Sequence, residues 1–370
     1  MKNKSRLFGI YLPVFLLLLI ASVTLRTVAL ILHFDATTFY FDEKSVITAA
    51  DIIVISGAVF MFTYIFAAKK NMKLIPSFTT PATYIPTGIV SITLIFVIKS
   101  LIDKAAAVKE NMDYLKMLAT PSAKASLSTE TIIFFILVAS IVFATFSIAH
   151  FALTAIDERQ SSTKRASFGI CTVIFLAAYA TYLYFNKDLP LNAPNKIVDQ
   201  MAYLFSALFF LYETRLSLGR ERWKSYIAFG FIASLISAYA SIPSTIYYFV
   251  TGEFTSNSIY ETALTLSIFI FITARLFLTS ELIEDTPSDT VTSLIKFAEA
   301  RDAEVNPQKP EIVDVTGEDI TDEDENDGNQ ITFEYFENEN LEPTAIFDSD
   351  TLNDNEEQDL QNNDKASETE

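Results

Sequence analysis

Cysteine is nearly absent from this chain, and its scarcity excludes several chemistries. Cys171 is the single cysteine among 370 residues, so there is no intramolecular disulfide and no cysteine-based zinc site. Histidine is almost as rare, with only His33 and His150. An HExxH metalloprotease helix is therefore excluded, and a multi-histidine metal centre is disfavoured. No G-x-S-x-G elbow and no Walker loop occurs. The strongly acidic C-terminal segment has no kinase or nucleotide-binding pattern. A retinal-type pigment needs a lysine in its seventh span, and there is none. No apolar run has Asp or Glu near its middle, the usual element of an ion-driven relay. These absences describe a non-enzymatic protein with no cofactor and no metal.

Acidic residues are plentiful but confined. The whole chain carries a net charge of −18, although 51% of it is hydrophobic and its mean hydropathy is +0.31. A cut at Glu284 separates two materials. Residues 284–370 hold 28 Asp and Glu against 4 Lys and Arg, a net −24, which leaves +6 for the remainder. A slightly basic, apolar body is joined to a polyanion.

Apolar runs long enough to cross lipid recur down the body. They cover residues 8–31, 47–68, 84–102, 131–155, 167–185, 198–218, 225–249 and 258–280. In hydrocarbon every backbone amide needs an internal partner, so these runs are helices. The expected fold is all-α: a polytopic transmembrane bundle of about eight helices with a disordered acidic C-terminal tail. A signal peptide is an alternative reading of the first run, because MKNKSR precedes LPVFLLLLIA. No A-x-A site follows, and cleavage would leave seven helices.

Lys and Arg set the orientation. With the N-terminus cytoplasmic, twelve basic residues fall at inner ends and seven at outer ones. Four of the seven, Lys104, Lys109, Lys116 and Lys124, lie between residues 103 and 130, where IDKAAAVKENMDYLKMLA extends the third helix outward. Eight passes return the C-terminus to the cytoplasm. There TPSDTVTSLIKFAEA reads as a short amphipathic juxtamembrane helix over 284–301. Thr286 is its N-cap, Pro287 its first position, and Val291, Leu294, Ile295 and Ala298 its apolar stripe. Residues 302–370 bury too little apolar surface to offset ordering entropy, so disorder is expected. Two apolar islands interrupt them, ITFEYFENE and LEPTAIFD. The first offers Phe333, Tyr335 and Phe336 as a motif for a basic cytoplasmic protein. A charge of −24 also repels nucleic acid.

Charges at the span ends form the first candidate site. Arg26, Lys99, Glu213, Arg215 and Arg275 read most simply as boundary anchors whose side chains snorkel to the headgroups. The alternative is an inner polar cluster of Glu213, Arg215, Arg275 and His150. R-L-x-L occurs at 215–218 and at 275–278, which would set two guanidinium groups side by side for an anionic lipid head or the tail's own carboxylates. His150 alone in its helix is expected to bond a neighbouring helix, with a proton-responsive role as the alternative. Asp51, Asp199 and Glu261 are expected to be solvated helix starts, with a shared cation site as the alternative.

The seventh run holds the second candidate. Gly230, Ser234 and Ala238 make a small-xxx-small face for close helix approach. Ser237, Tyr239, Ser241, Pro243 and Tyr247 outline a Tyr- and Ser-lined outer pocket, with Pro243 as an expected kink. The stretch LNAPNKIVDQMAYLFSALFFLYETRLSLGRERWKSYIAFGFIASLISAYASIPSTIYYF, residues 191–249, resembles a group of uncharacterised bacterial multi-pass membrane proteins. The resemblance implies a bacterial cytoplasmic membrane protein and no function. Two readings follow. One is a scaffold, assembly factor or sensor, in contact with membrane lipids, whose acidic tail recruits partners. The other is a transporter or channel for a small uncharged or amphipathic solute.

Overall fold

The structure is a computed structural model, and it describes residues 7–67, 72–76, 81–118, 120–157, 162–187, 189–219, 222–255 and 258–284. The chain divides into two units, Met1–Lys309 and Pro310–Glu370, and every described residue lies in the first. Eight helices account for most of the described residues: α1 (Leu7–His33), α2 (Ser45–Ala67), α3 (Pro81–Leu118), α4 (Pro121–Ile156), α5 (Thr163–Phe185), α6 (Pro194–Ser217), α7 (Trp223–Thr251) and α8 (Ile259–Phe277). Their starts follow local chemistry. Thr120 accepts from the Ala123 amide at 3.2 Å just before Pro121, and Ser162 accepts from the Arg165 amide at 3.4 Å. Each side-chain oxygen satisfies an amide that the first helical turn leaves unpaired. Gly252 ends α7 with φ 76, a left-handed conformation that glycine adopts without steric cost.

Two short antiparallel ladders join helix ends. β1 (Phe34–Asp35) pairs with β2 (Tyr40–Phe41) between α1 and α2. β3 (Met72–Pro76) follows α2 and pairs with β4 (Ser280–Glu284), which follows α8. The register runs from Met72 opposite Glu284 to Pro76 opposite Ser280. Neither ladder is expected from hydropathy. The second corrects two boundaries: the last helix ends at Phe277 rather than 280, and Glu284 is strand rather than the start of an amphipathic helix. Backbone pairing with β3 is what turns the chain away from helix. The remainder of the 284–301 helix, the 302–370 segment and Phe333, Tyr335 and Phe336 lie outside the described residues. The two ladders mark the two ends of the bundle, called here the hairpin side (β1–β2) and the clasp side (β3–β4).

Helices α3 to α8 form a closed ring, each packed on the next and α8 returning to α3. α1 and α2 pair with each other and lie against α7 from outside the ring. α7 is thus the hub, with 83% of its apolar window buried against 28% for α1, α2 and α4. Its small residues permit this, since a Cβ on Gly230 would press on Leu276 of α8 and Phe209 of α6. α3 has 38 residues, about 57 Å at 1.5 Å per residue. The hydrocarbon core is about 30 Å thick, so α3 continues well beyond it as the antiparallel partner of α4.

Seven of the eight helices are long and apolar enough to cross a membrane. The exception, α6, buries Asn195, Lys196, Asp199 and Glu213 among neighbouring elements, with Arg26 bonding Asn195, Arg275 bonding Glu213 and Lys196 donating to the Asn186 carbonyl. The outer faces are apolar: Leu17 is 67% exposed and Ile52 60%, whereas Arg26 and Arg275 are each 1% exposed. Charge inside and hydrocarbon outside is the arrangement lipid requires. The molecule is a multi-pass membrane protein.

Candidate functional site

The clasp side carries a fully enclosed pair of opposite charges. Glu213, in the last turns of α6, and Arg275, in the last turn of α8, are each 1% exposed. Arg275 Nη2 donates to Glu213 Oε1 at 2.6 Å and Nε to the same oxygen at 3.0 Å. Nη1 donates to Thr279 Oγ1 at 3.0 Å, and the Tyr226 hydroxyl of α7 lies against both partners. In this low-dielectric setting the pair locks two helices that otherwise touch little.

His150 of α4 and Arg165 of α5 extend the cluster. The Arg165 carbonyl lies 3.3 Å from His150 Nδ1. Arg165 Nε donates to Ser217 Oγ at 3.1 Å, Nη1 to the Asp157 carbonyl at 3.2 Å, and Ser217 Oγ to the Glu213 carbonyl at 3.1 Å. His150 Nε2 is buried without a hydrogen-bond partner among the described residues. Its ring stands edge-on to Phe210, centroids 6.0 Å apart. Gly169 makes the approach possible, because a Cβ there would collide with the Thr214 hydroxyl and press on the His150 ring.

Three of the four residues read as an inner cluster, Glu213, Arg275 and His150, are therefore neighbours. Arg215 is not among them. It is half-buried, with its guanidinium carbon 5.9 Å from the Tyr212 ring. Residues two apart on a helix point to different faces, so the repeated R-L-x-L does not pair Arg215 with Arg275. The anchor reading also fails for Arg26, Glu213 and Arg275, which are enclosed by protein rather than reaching headgroups. Lys99 alone of the interior set is exposed.

On the hairpin side Arg26 of α1 donates to Asn195 Oδ1 of α6 at 2.6 Å and stands 4.3 Å from the Tyr239 ring centroid. Tyr239 in turn donates to Asp51 of α2 at 2.6 Å. Ser237 meets Ser206 of α6 at 3.3 Å, and Ser241 donates to the Ser237 carbonyl at 2.7 Å. Tyr247 packs edge-on to Phe34 and donates to Glu253 at 3.4 Å. Pro243 is buried within an unbroken α7. The five residues read as an outer pocket thus face several neighbours: α6 for Ser237, α1 and α2 for Tyr239, the hairpin for Tyr247.

Glu261, expected to be a solvated helix start, is instead fully buried in the first turn of α8. Lys104 Nζ donates to its Oε1 at 2.6 Å and Ser100 Oγ at 3.1 Å. Asp51 belongs to the Tyr239 group, so a site shared by Asp51, Asp199 and Glu261 is not formed. Lys104 and Arg165 escaped sequence reasoning because each was counted as a loop charge. Lys104 and Glu261 are 157 residues apart, and no local pattern links them.

Between the two polar layers the interior is mostly apolar, crossed by the Ser206–Ser237 contact at 3.3 Å and the Ser234–Thr273 contact at 2.7 Å. Val90, Leu94, Phe151, Thr172, Phe210 and Ile268 are among the residues lining a cavity of about 10 Å³, room for roughly one water but with fewer polar partners than a water needs. Among the described residues no group of three or more His, Cys, Asp or Glu is placed to hold a metal. No protein-family model, curated protein or solved structure matches this chain, so its function is argued from this geometry.

Proposed function

We propose a non-enzymatic integral protein of a bacterial cytoplasmic membrane, with both termini cytoplasmic, that acts as a scaffold, assembly factor or sensor. Its helical body holds an acidic C-terminal segment where soluble partners can reach it. The observation that carries this reading is the β3–β4 clasp. It ties the exits of α2 and α8 together through five residue pairs and ends at Glu284, where the −24 segment begins. The polyanion leaves the body from a fixed point on the side richest in Lys and Arg, the side the positive-inside rule makes cytoplasmic. Membrane lipids contact the apolar outer faces. The partner is a basic cytoplasmic protein that binds Phe333, Tyr335, Phe336 and the surrounding carboxylates by ordering them.

Deleting residues 302–370 and comparing the proteins recovered by crosslinking tests this reading. Loss of specific partners is expected, and an unchanged set contradicts it. Protease applied to intact spheroplasts should spare the C-terminus.

The closed ring, polar at both ends, favours a second reading: passage of a small uncharged or amphipathic solute. Vesicle uptake that is measurable and unchanged by Ser237→Leu and Ser241→Leu removes α7 from any such path.

A further inference from the structure

The ring ends on the hairpin side in a carboxylate walled by tyrosines. Glu261 exposes no surface. Its Oε1 takes both hydrogen bonds from α3, and its Oε2 has no hydrogen-bond partner among the described residues. The Tyr179 hydroxyl of α5 is likewise buried and without a hydrogen-bond partner among the described residues. The Tyr179 ring meets Tyr203 edge-on at 4.9 Å and Tyr182 at 5.8 Å. Tyr203 closes the wall by donating to the Glu261 carbonyl at 3.1 Å.

A carboxylate set among aromatic faces suits an ammonium group. One is already present. Lys104 Nζ stands 2.6 Å from the carboxylate and 5.4 Å from the Tyr182 ring centroid. Its side chain is 25% exposed while that of Glu261 is 0% exposed. The lysine stem therefore reaches the surface, whereas the carboxylate is enclosed.

We propose that Glu261 and Tyr179 form a binding site for a compact primary ammonium, and that Lys104 occupies it in the resting chain as a tethered competitor. A primary ammonium carries three N–H donors; Glu261 Oε1 already accepts from the Lys104 ammonium, and Glu261 Oε2 and the Tyr179 hydroxyl are buried without hydrogen-bond partners among the described residues. Asp199 adds a second negative charge near Tyr179 and Tyr203, and phenols beside carboxylates suit an organic cation. A divalent metal wants several oxygen ligands, and no such cluster occurs among the described residues. The site lies at the end opposite the clasp, and it stands independently of the partner-recruiting reading.

The test uses the full-length chain in detergent, with methylammonium chloride as probe and potassium chloride at matched ionic strength as control. The readout is the temperature at which monodisperse protein is lost. Lys104→Met leaves Glu261 buried without its cation, so its midpoint should fall and then recover saturably with methylammonium. Lys104→Met combined with Glu261→Gln should not respond. Adding Tyr179→Phe to Lys104→Met should raise the methylammonium needed about tenfold, the effect of one charge-assisted hydrogen bond. Wild-type protein should need more methylammonium than Lys104→Met or show no response. A Lys104→Met chain recoverable only in methylammonium supports the site. The proposal is overturned if potassium rescues equally, if wild type and Lys104→Met respond alike, or if methylammonium changes nothing. Failure to recover Lys104→Met in methylammonium, when the Glu261→Gln double variant is recovered, overturns it too.

Discussion

The two ends of the bundle hold the same kind of ion pair in different settings. On the clasp side, Glu213 and Arg275 have side chains 2% and 1% exposed. On the hairpin side, Glu261 is as deeply buried, but Lys104 keeps 25% of its side chain exposed. A pair with both members enclosed holds helices together, because neither charge has a solvated alternative. A pair with one member at the surface can open. The clasp-side pair thus reads as a lock and the hairpin-side pair as a gate.

Variants rank the two settings. Arg275→Met should do the most damage, because it strands the Glu213 carboxylate in the interior; breaking such a pair costs about 3–5 kcal/mol. Thermal loss of monodisperse protein checks this, and Glu213→Gln added to Arg275→Met should recover much of the loss. Gly169→Ala follows, at about 1–3 kcal/mol of overpacking, since the methyl has the Thr214 hydroxyl and the His150 ring in its way. Lys104→Met should fall between the buried case and the roughly 0–1 kcal/mol of a solvated pair. Lys187→Met should cost less than Lys104→Met, because Lys187 Nζ reaches Glu130 at 2.8 Å with its own side chain 57% exposed, although that of Glu130 is only 8% exposed.

The smallest effect lies in the turn between β1 and β2. Asp35 accepts from the Thr37 hydroxyl at 2.7 Å, the Thr37 amide at 2.8 Å and the Thr38 hydroxyl at 2.8 Å. These bonds, the Thr37 hydroxyl's first, hold its carboxyl below the ordinary value of 3.8. A depressed pKa stabilises the turn at all higher pH and ceases to do so as pH falls through the lowered value. Protection of the Thr37 amide should therefore be constant from neutral pH down to about 4 and decline below it.

The helices were legible in the sequence because lipid imposes a strong local rule: long apolar runs, charge outside them, Lys and Arg on one side. The stretch IDKAAAVKENMDYLKMLA reads as an outward extension of the third helix, and Leu118 ends α3 far beyond the apolar run, whereas residues 121–130, read as loop, begin α4. The clasp was not legible. β3 and β4 lie two hundred residues apart, and a five-residue strand beside an apolar run adds little hydropathy signal of its own. The charged groups were found in part. Glu213, Arg275 and His150 stood out as ionisable residues within spans, but depth along a helix does not reveal which face a residue occupies. Arg215 was therefore grouped with Glu213 although its side chain lies on another face, and Arg26 was placed at the headgroups although Asn195 and Tyr239 enclose it. Lys104 and Arg165 were counted by loop rather than by partner. That is where single-sequence reasoning stops, since an ion pair between helices is a long-range fact.

A double-mutant cycle at Glu213 and Arg275 tests most directly the claim that buried pairs, not headgroup anchors, hold this bundle together. Glu213→Gln, Arg275→Met and their combination would be compared by equilibrium unfolding in mixed detergent. Enclosed partners should show a coupling of about 2 kcal/mol or more, with the double variant more stable than Arg275→Met alone. Additivity within about 0.5 kcal/mol would mean that the two side chains act independently, and the account of the clasp-side lock would be wrong.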